Sequence, residues 1–145
     1  MSFTYTNAKA EILKGNIDLV NDDIRVMLVM EATTADTEED VATIGAFGTL
    51  DEYDGTNNAR KALASEAVVA DNTNNRGEFD ADDVTWTALG AGATPVEGAL
   101  VYKHVTNDAD SIPLFFITTG GIDGFQGNGS DFTIQWNTAG IAQAT

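Results

Sequence analysis

The stretch RGEFDADDVTWTALGAGATPVEGALVYKH, residues 76–104, decides the fold. Within it Val84-Thr85-Trp86-Thr87-Ala88-Leu89 alternates: Val84, Trp86 and Ala88 share one face and Thr85 and Thr87 the other, the period of a half-buried strand. Asp80-Ala81-Asp82-Asp83 is a poor strand former and a good turn, so it sets where that strand begins. A Gly/Ala/Pro loop follows, then a second apolar run over residues 99–102. Trp86 is large enough to nucleate a core. Nothing in the stretch has the pattern of a catalytic motif.

Toward the N-terminus, residues 24–30 (IRVMLVM) are nearly all apolar and rich in β-branched side chains, as in a strand covered on both faces. Asn21-Asp22-Asp23 reads as a hairpin turn joining that strand to Ile17-Asp18-Leu19. Asn7 is placed to cap a short helix over residues 8–14, with Ala8, Ile12 and Leu13 on its apolar face and Gly15 as its stop. Periodicity fades over residues 31–58, which read as a long surface excursion with one helical turn near residues 36–44. Residues 60–70 predict a strand, 71–75 a turn and 77–79 a short strand.

Toward the C-terminus, residues 111–119 predict a buried strand with Pro113 near its start. Residues 120–129 read as a flexible Gly-rich connection. In residues 131–137, Phe132, Ile134 and Trp136 alternate with polar partners. The expected architecture is one all-β domain over residues 1–145, an antiparallel β-sandwich or jelly roll. It carries a lead with one short N-terminal helix (1–15) and the excursion (31–58), and Val26, Leu28, Trp86, Val101, Phe116, Ile134 and Trp136 lie in its interior.

The chain has 145 residues, 43% of them hydrophobic, and a mean hydropathy of −0.12, which fits a folded domain able to bury a core. Without cysteine it has neither disulfides nor thiolate zinc sites. The opening residues lack the basic and apolar regions of a secretory signal. No apolar run reaches the roughly 18–20 residues that cross a bilayer. The net charge is −16, and the seven basic residues are scattered. Nucleic acid and anionic membranes both require clustered positive charge, so neither is an expected partner. The acidity reads as solubility and resistance to non-specific association.

Catalytic motifs are missing. The single histidine, His104, adjoins Lys103 at a strand end, and no Gly-x-Ser-x-Gly elbow is present. Gly120-Gly121-Ile122-Asp123-Gly124 lacks the lysine and helix of a phosphate loop. The oxygen-rich run from Asp71 to Asp82 carries Arg76 where a calcium loop requires glycine. Asp71, Asp80, Asp82 and Asp83 are the carboxylates that would gather a cation, but no catalytic, cofactor or metal site is assigned and no cofactor is expected.

Four segments, YTNAKAEILKGNIDLVNDDIRVMLV, NRGEFDADDVTWTALGAG, EGALVYKH and DFTIQWNTAGI, closely resemble a widespread family of small tailed-bacteriophage virion proteins associated with capsid decoration, or cement, roles. FDADDVTW and TIQW are the most specific of these matches, and residues 31–58 match least. The resemblance implies a non-enzymatic, β-rich protein made in the host cytoplasm. It would bind the major capsid protein on the outer surface of the head, self-associating there as a homo-oligomer, first of all a trimer. Phe3, Tyr5 and Tyr53 are the candidate interface residues, because the lead and the excursion lack a core period. Two other classes fit the residues: a tail or head-completion component, and a carbohydrate-binding β-sandwich in which Tyr53, Trp86 or Tyr102 stacks on sugars.

Overall fold

A computed structural model describes residues 2–145. In chain order it contains β1 (Phe3–Thr4), α1 (Thr6–Leu13), β2 (Ile24–Met30), β3 (Lys61–Ala62), β4 (Ala67–Asp71), β5 (Arg76–Asp80), β6 (Val84–Leu89), β7 (Val96–Lys103), β8 (Ile112–Ile117), β9 (Ser130–Ile134) and β10 (Ala142–Ala144), with a 3-10 turn at Ile44–Ala46. Strands hold 35% of the residues and helix 8%, so the chain is all-β. Its buried apolar side chains form one continuous core, as in a single domain.

The centre is a five-stranded sheet in the order β1-β8-β7-β2-β3, antiparallel throughout. Val26 pairs with Val101 and Leu28 with Ala99, so the β-branched run of β2 lies in the middle of the sheet. Alternation sends Val26, Leu28 and Phe115 to one face and Met27, Leu100 and Phe116 to the other, and all six are buried. This two-sided burial explains why β2, β7 and β8 read as continuous apolar runs.

Each face has its own cover. On one side Phe79 of β5 sits 5.9 Å from Phe115. β5 belongs to a three-stranded sheet, β10-β5-β4, and a separate two-stranded sheet pairs β6 with β9. The fold is therefore β-sandwich-like, with its second layer split between two small sheets. On the other side Phe3 stacks on Phe116 at 5.6 Å, Tyr5 meets Phe3 edge-on at 5.0 Å, and Phe47 meets Tyr5 at 5.7 Å. Residues 31–58 thus close over the sheet as a packed loop.

Several expectations require correction. The helix begins at Thr6 behind Tyr5, without a side-chain cap. Asn7 instead donates to the Ala42 carbonyl. Gly15, at φ 75°, does end the helix: its N–H bonds to Ile12 and that of Asn16 to Glu11, a closure that needs a left-handed residue. Leu13 points outward, 88% exposed. Ile17–Leu19 is not a strand, because Asp18 folds the chain into a turn by accepting from Val20 and Asn21. The run 60–70 breaks at Ser65 (φ 58°) into β3 and β4, which belong to different sheets. The helical turn lies at Ile44–Ala46, at the end of the expected range.

In β6 the alternation holds through Trp86 and then fails. Ala88 adopts φ 50° in a bulge, and Leu89 takes the buried position. β9 stops at Ile134, so Trp136 is only partly buried, packed against the core from outside. Its indole N–H reaches the Asp82 carbonyl at 2.9 Å.

Candidate interaction surface

The residues with chemical potential are dispersed. The His104 amide donates to the Asp23 carbonyl, its ring lies edge-on to Tyr102 at 6.4 Å, and its buried Nδ1 has no hydrogen-bond partner among the described residues. Asp71 folds over its own turn and accepts from Thr73 and Asn74 at 3.0 and 3.1 Å. The Asn74 side-chain hydrogen bond leads the effects that lower its pKa below the ordinary aspartate value. Asp82 accepts from the Ser65 hydroxyl, and Asp83 accepts from the Trp136 amide. Asp71, Asp82 and Asp83 thus serve separate partners, and no group of three or more His, Asp or Glu side chains suited to a metal ion occurs among the described residues.

The strongest electrostatic cluster was not legible from spacing. Arg60 binds Glu52 through Nε and Nη2 and Asp108 through Nη1 and Nη2, with its guanidinium 5.7 Å from the centre of the Tyr102 ring. The bond from Arg60 is the main cause lowering the Asp108 carboxyl, and Asp108 in turn raises the Arg60 guanidinium. Glu52 and Arg60 lie in the β2–β3 connection, Tyr102 in β7 and Asp108 in the β7–β8 connection, so the tertiary fold brings Asp108 to the arginine. The cluster is a clasp between the 31–58 loop and the β7–β8 connection.

The candidate interface residues lie elsewhere than expected. Tyr5 is fully buried and its hydroxyl donates to the Ala35 carbonyl. Burial, then the charges of Asp36, Glu39 and Glu38, raise its pKa. Tyr53 is 2% exposed. Its hydroxyl donates to the Gly90 carbonyl at 3.0 Å and accepts from the Gly92 and Gly127 amides at 2.7 and 2.9 Å. A Cβ on Gly127 would overlap the Gly90 carbonyl, so this contact requires glycine. The 120–129 connection is pinned here and by Gly124 and Gly129 amides bound to Val96 and Leu89. Phe3 is partly buried in β1. Trp86 and Tyr102 are fully buried as well, so none of the three rings nominated for sugar stacking presents a face.

Three of the five large apolar residues left exposed among the described residues lie in α1 and β4. Val68 and Val69 of β4 are 56% and 57% exposed and Leu13 of α1 is 88% exposed. Opposing residues in antiparallel strands point to one side, so Val68, Phe79 and Ala142 share a face with Ala70, Gly77 and Ala144. That face has no charged side chain. Between it and α1 runs a groove of about 480 Å³, walled by Ile12, Leu13, Val68 and Ala142, floored by Phe79 and Phe115, and bordered by Lys9 and Glu78. The reverse face carries Asp71, Arg76, Glu78 and Gln143, joined by ion pairs and hydrogen bonds.

No protein-family model matches this chain, and neither does any curated protein or solved structure.

Proposed function

We propose that the protein is a structural component of a bacteriophage virion, a decoration protein bound to the major capsid protein on the outside of the head. The observation that carries this reading is the resemblance borne by residues 5–29, 75–92, 97–104 and 131–141. Those segments supply α1, β5 and β6 and most of β2, β7 and β9, so the similarity lies in the framework of the fold. The net charge of −16 supports a surface role, because crowded copies repel through solvent while the interaction is screened beyond about 8 Å.

In this role each copy bridges neighbouring subunits of an assembled shell, alone or as a homo-oligomer. Copies that bind the shell better than free subunits stabilise it by mass action, and many weak attachments act together. Purified particles test the reading. The protein should occur in high copy relative to the major capsid protein, and heads lacking it should assemble but rupture at lower temperature or under milder osmotic shock. Adding the protein back should restore the threshold. Copies confined to tails would favour a tail component instead. Depleted heads as robust as complete ones would remove the reinforcing role.

A further inference from the structure

The outer edge of β4 is built to be paired. It ends the β10-β5-β4 sheet, and no hydrogen bond reaches its free side over residues 67–70 among the described residues. Exposed edges in folded proteins are normally blunted by charge, proline or brevity. The other edges fit that rule or are blunted by a bulge: β1 and β3 have two residues each and β10 three, β9 carries Asp131, and β6 is broken by the bulge at Ala88. β4 has five, and Ala67-Val68-Val69-Ala70 carries neither charge nor proline. Val68, Val69 and Ala70 are all exposed, so both faces of the strand meet solvent.

We infer that β4 accepts an extended segment of another protein as a fourth strand, with that segment's alternate apolar side chains lying over the groove beside Leu13 and its flanks carrying lysine or arginine. The geometry supplies two binding components: main-chain hydrogen bonds along the β4 edge, and an apolar trough on one side for every second residue. Small residues on that face, Ala70, Gly77 and Ala144, leave room for larger side chains.

Charge selects the occupant. Glu66 precedes β4, and Asp80 pairs with Ala67 at the same end of the strand. Neither acid has a cationic partner among the described residues, and Asp80 Oδ1 is buried without any hydrogen bond. A second copy of this chain is poorly suited to supply those cations. It brings a net charge of −16, and five of its seven Lys and Arg residues (Lys14, Arg25, Arg60, Arg76 and Lys103) already stand in ion pairs. A basic partner meets the unpaired carboxylates and is steered by the overall field. This inference does not depend on the virion reading.

The test uses the full chain and short synthetic peptides of alternating Leu and Thr, flanked at both ends by either lysine or glutamate pairs. The lysine-flanked peptide should slow amide exchange on the free edge of β4 and bind at least about tenfold tighter than the glutamate-flanked one, with the difference shrinking as salt rises. Val69→Pro should abolish binding. Leu13→Ser, away from the sheet, should weaken it with the melting temperature unchanged, which separates loss of binding from loss of folding. Absence of β4 protection by either peptide would overturn the proposal, as would equal affinity for both. Sedimentation showing a dimer whose β4 amides are already protected would assign the edge to a second copy and overturn it equally.

Discussion

Tyr53 holds three backbone groups with one oxygen, at Gly90, Gly92 and Gly127. Tyr53→Phe keeps the ring but leaves two amides without their acceptor, and each orphaned buried group costs about 1–3 kcal/mol. Urea unfolding should show a loss of at least about 2 kcal/mol. A loss under about 0.5 kcal/mol would mean that water replaces the hydroxyl. Ala88 sits at φ 50°, where an L-residue is strained, and its side chain is not in the core. Ala88→Gly should therefore stabilise the protein by up to about 1 kcal/mol, and a destabilised variant would place the bulge elsewhere. The two tryptophans should also separate: Trp86→Ala should cost about 3–5 kcal/mol, and Trp136→Ala about 1–2 kcal/mol. Their difference shows what a residue pattern carries. Period-two alternation correctly placed Val84, Trp86, Phe132 and Ile134 inside. It contains no stop signal, so it also ran on to Trp136, and it cannot announce a bulge at an alanine.

At the scale of elements, strands β2, β6, β7, β8 and β9 were legible because β-branched and aromatic runs leave the backbone few alternatives. The lead and the 31–58 loop were misread for the opposite reason. Their core residues, Tyr5, Ile44, Phe47 and Tyr53, are isolated anchors with no period, so absence of pattern passed for exposure. What holds that loop is specific bonding: Ile44 and Gly45 amides to Ser111 and Asp108 carbonyls, and the Arg60 clasp beside them. Arg60→Gln would leave Glu52 and Asp108 near one another without their cation. The side chains involved are 25–39% exposed, so solvent screens much of the penalty. The expected loss is about 1–2 kcal/mol, together with faster amide exchange at Ile44 and Gly45. Unchanged exchange there would show that the clasp does not restrain the loop.

For the whole molecule, the candidate surface was not legible, because it joins Leu13 to strands more than fifty residues away in a register only the fold defines. Net acidity was legible, and its consequence for stability has a definite sign. Hydrogen bonds from Arg60, Arg25 and Thr34 are the leading causes depressing Asp108, Asp23 and Glu38. A depressed carboxylate contributes stability that is present above its unfolded pKa, about 4, and lost as pH falls through the folded value. Glu97 runs the other way: burial, then the charges of Asp123, Asp36 and Glu31, raise it. Its contribution is present below the unfolded value and lost as pH rises through the folded one. The melting temperature should therefore fall steeply below about pH 4, and should also decline from mildly acidic toward neutral pH as Glu97 ionises among like charges. Glu97→Gln fixes the neutral form and should melt higher than the parent at pH 7. Added salt should narrow that gap by screening Asp123 and its neighbours, and near pH 4, where Glu97 is already protonated, the two proteins should melt together. A gap that persists unchanged at pH 4 would assign the effect to packing of the amide, and a variant no more stable at pH 7 would show that Glu97 ionises there without penalty.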